Sequence, residues 1–267
     1  MQISVLALAA LINAPATNPT ANSATATTMQ PPAKASVMDS GSWILRVAGD
    51  PDHELQSREG PEGPLFRAGD VFTETKLPVG YPAPTPPNAF EIKHYASVRR
   101  AEFSSDTAGG MTGTRGFMPL FRHISNNDIA MTSPVEMETH DTDSDGRADQ
   151  WTMTFLYHTT DDGPTGKDGS IVIVDTEPMT YLALGVQGRR SEASWNAIAD
   201  ELEAWIAESS EWRAVGLPRV LGYNGPYVPS QNPWWEVQIP VERASTGSGA
   251  SATTSDKPIY REIEVEG

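Results

Sequence analysis

Between Asn88 and Glu242 the apolar positions follow two periods. Phe117, Leu120, Phe121 and Ile124 fall at i, i+3, i+4 and i+7, which predicts one face of a helix. Trp195, Ile198, Ala199, Leu202, Trp205 and Ile206 repeat that spacing, with Ser191 and Ser194 available as N-caps. Elsewhere the period is two. Val135, Met137 and Thr139 alternate with Glu136, Glu138 and His140, as in a half-exposed strand. Trp151, Met153, Phe155 and Tyr157 alternate with Thr152, Thr154, Leu156 and His158, and the Asp-rich turn between the two runs predicts a hairpin. Further strands are expected in FEIKHYASVRRAEF, at Ser170 to Val174, at Met179 to Val186 and at Trp235 to Val241. The order is strand, helix, strands, then strand, helix, strand. It reads as an α+β domain of two similar halves, with two helices on a mostly antiparallel sheet.

The flanks lack this patterning. Residues 1–16 combine an apolar run, Ile3 to Ile12, with a small-x-small Ala14-Pro15-Ala16, which fits a signal peptide and export to the periplasm or exterior. The run is too short to span a bilayer, which takes about 20 residues. Residues 17–87 read as a low-complexity linker and N-terminal extension. Within them Trp43 to Val47 suggests a short strand, DPDHELQSREGPEGP a loop, and YPAPTPPN (81–88) a domain boundary. The packed domain is expected over 88–242 and a Ser/Thr/Gly-rich tail over 243–267.

Charge and cysteine count narrow the chemistry. With 35 acidic against 19 basic residues the net charge is −16, opposite in sign to a nucleic-acid footprint. There is no cysteine, hence no disulfide, thiolate metal site or cysteine nucleophile. No P-loop, GxGxxG, GxSxG or HExxH occurs.

Several segments resemble one family in order and spacing: FEIKHY (90–95), GFMPLFRHISNND (116–128), IAMTSPVEM (129–137), YNGPYVP and WWEVQIPV. Together they are similar to the SOUL/haem-binding proteins. The resemblance implies a distorted antiparallel β-barrel or sheet built of two βαβ-type halves with two flanking helices. It also implies a monomeric binding protein, not an enzyme, that takes haem or a related tetrapyrrole non-covalently in an apolar groove beside the first helix. Phe117, Leu120, Phe121, Arg122 and His123 are the cofactor-binding candidates. Arg122 occupies the place of a basic residue associated in the family with propionate contact. One departure is Asn232-Pro233-Trp234-Trp235, where relatives often carry Arg and Asn. The two Trp are read either as strand packing or as stacking on a flat ligand.

Two readings of His123 stand side by side. The four apolar residues share an arc of about 100°, and His123 flanks it about 60° from Leu120. It is either an axial ligand or a half-exposed flank histidine. Met118 is a weaker thioether candidate. In HDTDSDGRADQW, Asp141, Asp143, Asp145 and Asp149, with Gly146 at the sixth place, match the first half of a calcium loop, and Glu138 or water would complete its shell. The competing reading is a polar turn. An alternative function on the same fold is an effector-binding or hydrolytic protein for another hydrophobic small molecule, with Glu236 as acid/base or as a structural carboxylate.

Overall fold

The computed structural model describes residues 36–37, 41–106, 115–142, 148–225 and 232–244. Among these, the strands in chain order are β1 (Ser36–Val37), β2 (Trp43–Ala48), β3 (Gln56–Gly60), β4 (Gly63–Ala68), β5 (Val71–Phe72), β6 (Phe90–Tyr95) and β7 (Arg99–Ser105). They continue after the first helix with β8 (Val135–Thr142), β9 (Ala148–Leu156), β10 (Gly166–Asp168), β11 (Ile171–Asp175) and β12 (Met179–Gln187), and after the second with β13 (Trp212–Ala214), β14 (Arg219–Gly222) and β15 (Trp234–Arg243). The helices are α1 (Phe117–Asn126) and α2 (Glu192–Glu208).

Twelve described strands form one sheet in the order β1-β2-β6-β12-β15-β14-β8-β9-β7-β11-β10, with β13 on β15. Neighbouring strands pair antiparallel throughout. β6 and β7 are separated by only Ala96–Val98 in sequence, yet five strands lie between them along the ladder. A three-residue link spans little more than 10 Å, so the sheet must curl until its β6 and β7 regions come together. It does not close into a barrel, so the sheet form of the expected architecture holds.

Both helices pack on one face of this sheet. Their core gathers Leu120, Ile124, Met137, Trp151, Met153 and Phe155 under α1, and Leu182, Trp195, Leu202, Trp235, Val237 and Ile239 under α2. α2 opens on Ser191, whose hydroxyl accepts from Ser194 N–H while Ser194 Oγ accepts from Ser191 N–H, the reciprocal pair of a capping box. α1 begins after Gly116 with Pro119 in its first turn, where the missing donor costs nothing. It ends at Asp128, which takes the left-handed conformation (φ 54°). Ile129 N–H then returns to Ile124 C=O at 2.9 Å, the closing bond of a Schellman turn.

The opposite face is covered too, by residues read from sequence as linker. The stretch expected as a loop contains the β3–β4 hairpin, and β5 extends it to a small three-stranded sheet. Residues 81–86, expected as a boundary, are buried. They strap across β12 so closely that a Cβ on Gly185 would lie 2.2 Å from Thr85 O and 2.3 Å from Pro86 O. Prolines suit this place because a strap lying across a sheet needs few backbone donors. The packed body therefore begins well before residue 88. Both faces being covered, β9 and β15 are buried on both sides, and the alternation expected to mark solvent marks a second interior.

Candidate functional site

Alternate residues of β6, β8 and β15 that face the strap are polar, and they form one connected layer. Lys93 and Glu236, both fully enclosed, meet at 3.0 Å. Glu236 also accepts from Thr85 N–H, Tyr223 Oη and the Gln238 amide, each at 2.7 Å, and Lys93 donates to Ala83 C=O at 2.7 Å. Glu136 accepts from Tyr81 Oη at 2.6 Å and from Arg219 at 3.3 Å. Arg219 lies 3.7 Å over the Tyr181 ring. Burial pushes Tyr81, Tyr95 and Tyr223 well above the ordinary phenol value. Burial also raises Glu138, but Arg100 and Arg219 more than reverse it and hold the carboxyl low. Glu136 and Glu138, expected to be solvated, are thus structural acceptors held by Arg219, Arg100 and Tyr81. A cavity of about 280 Å³ opens beside them, walled by Tyr81, Tyr95 and Tyr181. Glu236 does not reach it, and with its lone pairs taken by donors it suits the structural role over acid/base work.

The larger cavity, about 530 Å³, lies at the C-terminal end of α1. The Schellman turn carries Asp128, Ile129 and Ala130 into one wall. Tyr157 and His158, at the end of β9, form the floor, Lys76 comes from the segment before the strap, and β10 with its preceding loop closes the outer side.

His123 projects from α1 into this end and is buried, at 6% exposure, against the expectation of a half-exposed flank. The i, i+3, i+4 spacing of Leu120, His123 and Ile124 explains why: the helix turns this edge to the sheet and leaves Phe121 and Met118 outside, at 44% and 47% exposure. His123 Nδ1 meets Asp168 Oδ2 at 2.6 Å and Nε2 meets Tyr157 Oη at 2.7 Å. The hydrogen bond from His123 holds the Asp168 carboxyl below its ordinary range, so it is an ionised acceptor. Nδ1 faces this carboxylate and Nε2 shares a hydrogen bond with the Tyr157 hydroxyl. Burial pushes the Tyr157 phenol up to about 12, which keeps its hydroxyl protonated. Asn127 braces the group by donating to His123 C=O at 2.8 Å. With both nitrogens engaged, His123 can offer neither to a ligand without losing Asp168 or Tyr157.

Of the other sequence candidates, Leu120 is in the core at 0% exposure. Phe117 packs edge-on against Phe155, with ring centroids 5.1 Å apart, and stacks with Phe121 at 6.0 Å. Phe121 and Arg122 are exposed, and none of these four lines the cavity. Trp234 and Trp235 are both buried, their indole N–H groups donating to Thr85 C=O and Gly188 C=O, so both pack as strand residues. The side chains of the calcium reading, Asp141, Asp143, Asp145 and Asp149, lie outside the described residues. Glu138, the outside ligand suggested for it, is committed to Arg100 at 2.9 Å. Lys76, Asn127, Tyr157, His158 and Asp168 were missed. Only Asn127 had a local signal, its i+4 spacing from His123.

The model of the SOUL heme-binding protein family matches residues 81–240, more than half of the chain. The chain belongs to the SOUL family. No curated protein sequence matches it. Among solved structures, the SOUL chain is similar to the C-terminal domain of EcmrR (14% identity, 58% of this chain, 98% of that one, TM-score 0.46). It is similar to a hydrolase from Listeria innocua (13%, 60% and 94%, TM-score 0.43). In the EcmrR–DNA complex the match (14%, TM-score 0.49) covers 58% of this chain and 57% of the EcmrR chain.

Proposed function

We propose that this SOUL protein binds haem or a related tetrapyrrole, reversibly and without a covalent link, in the 530 Å³ cavity at the end of α1. The observation that carries the reading is the make-up of that cavity in a chain of the SOUL heme-binding family. Its size lies in the range of about 300–1,000 Å³ typical of small-molecule sites. Ile129, Ala130 and Ile173 supply an apolar wall, and Lys167 and Lys76, which pairs with Glu62 at 3.3 Å, supply cations for propionates beside Asp128, Asp162 and Asp168. The apolar wall and the two lysines match a flat ring with acidic side groups, and the three carboxylates leave the lining acidic overall. Bound haem would supply iron coordination and redox chemistry. The chain's own residues orient the ring and exclude water. Arg122 and Phe121, exposed on the adjoining helix, would meet only a part of the ligand that extends out of the cavity.

The test is an absorbance titration with ferric haem, run on the wild type and on the Lys76→Ala/Lys167→Ala double variant. A saturable, red-shifted Soret band is expected in the wild type. Each lost charge-assisted bond is worth about 1.5–3 kcal/mol at most, so the double variant should bind roughly tenfold or more weakly. A wild-type spectrum identical to free haem would sink the reading.

A further inference from the structure

The smaller cavity, about 280 Å³, has no part in the tetrapyrrole reading and shares no lining residue with the cavity at the end of α1. Three tyrosine rings stand round it. Tyr81 meets Tyr95 edge-on with centroids 4.8 Å apart, and Tyr95 meets Tyr181 in the same way at 5.5 Å. The Arg219 guanidinium lies 3.7 Å from the Tyr181 centroid and 5.1 Å from that of Tyr95. These rings thus already hold one cation against their faces.

Charge decides what such a wall selects. The lining carries four carboxyl groups, Glu136, Glu138, Asp175 and Glu177, against the guanidiniums of Arg100 and Arg219. The ion partners just outside, Arg99 on Asp175 and Glu102 on Arg100, raise each side by one and leave the same acidic excess of two. Glu177 is exposed and has no ion pair among the described residues. A cation offsets this excess and an anion adds to it. Met179, at 38% exposure, adds an apolar and polarizable patch to the lining. The volume lies at the small end of ligand pockets, enough for a molecule far smaller than a tetrapyrrole.

We propose that this cavity is a second ligand site, which takes a single-ring organic cation, an aromatic amine or quaternary ammonium. Its ring packs on the tyrosines and Met179, and its charged head faces the carboxyl groups. The inference is independent of the tetrapyrrole reading.

The experiment is calorimetric titration of the full chain with benzyltrimethylammonium, benzyl alcohol and benzoate, one ring carrying a positive, zero or negative charge. Saturable binding is expected for the ammonium, binding about tenfold or more weaker for the alcohol, and none for benzoate. Tyr181→Leu should weaken the ammonium about tenfold, while Tyr181→Phe, which keeps the ring face, should retain it. Glu177→Gln, on the surface, should weaken it by about twofold to fivefold and flatten its salt dependence. Should Tyr181→Leu fail to fold, Glu177→Gln and the three ligands on the wild type still decide. No binding of the ammonium, or benzoate binding as tightly, overturns the proposal. So does wild-type affinity and salt dependence in both Tyr181→Leu and Glu177→Gln. Ferric haem titrated into Glu177→Gln should behave as in the wild type, so the two sites stand or fall separately.

Discussion

At the scale of single residues, His123 is the instructive case. The helical wheel places it on a flank, and in the structure that flank is the inside edge. A wheel ranks positions by neighbours on the same helix, and it cannot see Asp168 and Tyr157 arriving from 45 and 34 residues further on. Those partners make a buried polar group affordable at this place. His123→Ala removes both bonds and leaves Tyr157 Oη, at 2% exposure for its residue, without its partner. The expected loss is about 1–3 kcal/mol of stability, read as a lower urea midpoint with the slope unchanged. An unaltered midpoint would mean that water replaces the imidazole at no cost. Arg122 and Phe121 show the complementary limit, since a resemblance carries residue types to positions but says nothing of which side of the helix the cavity occupies, and both stand outside this one.

At the scale of elements, the two helices and strands β6, β7, β8, β9, β11, β12 and β15 were legible from their periods, whereas the short β10, β13 and β14 carry too few residues to show one. Ser191 as the cap of α2 was equally legible, since capping is decided within four residues. The β3–β5 sheet and the strap were not. β3 is exposed at all but Gly60, and β4 offers only Phe66 and Ala68 to the second core, too few to show an apolar face in the sequence. The strap is rich in proline, which marks a break in local structure but does not say whether the broken segment is buried. The misreading of Glu136 and Glu138 followed from it, for alternation reports two unlike faces and not which one meets water. Gly185→Ala tests the strap directly. The atoms it would strike are backbone oxygens of Thr85 and Pro86, which cannot swing aside as a side chain could. Thr85 N–H would be drawn off Glu236, so a loss of several kcal/mol is expected, at the upper end for point substitutions. Thermal unfolding checks it, and a melting temperature within a degree of wild type would show that the strap moves freely.

For the whole molecule the titration of its tyrosines sets a boundary. Tyr81, Tyr95, Tyr157, Tyr181 and Tyr223 all have phenols raised by burial, Tyr157 to about 12. An unfolded tyrosine ionises near 10. Above about pH 10 the unfolded chain therefore releases protons that the folded chain keeps, and folding stability must fall as pH rises. Below about pH 9 these groups contribute no slope. Urea midpoints measured from pH 8 to 11.5 should be flat at first and then drop steeply, and a profile flat throughout would contradict the buried phenol layer. The cavity has one further property that follows from β10. This three-residue strand is one of the two edges of the described sheet, exposed at every position and carrying a charge at Lys167 and Asp168. Short, charged edges resist pairing with other chains. The wall of the cavity is thus also the part of the body least committed to either core. Replacements at Gly166 and Lys167, unlike Asp168 that pairs with His123, can reshape the cavity while the folding of the domain is left alone, so this wall is free to change faster than the architecture.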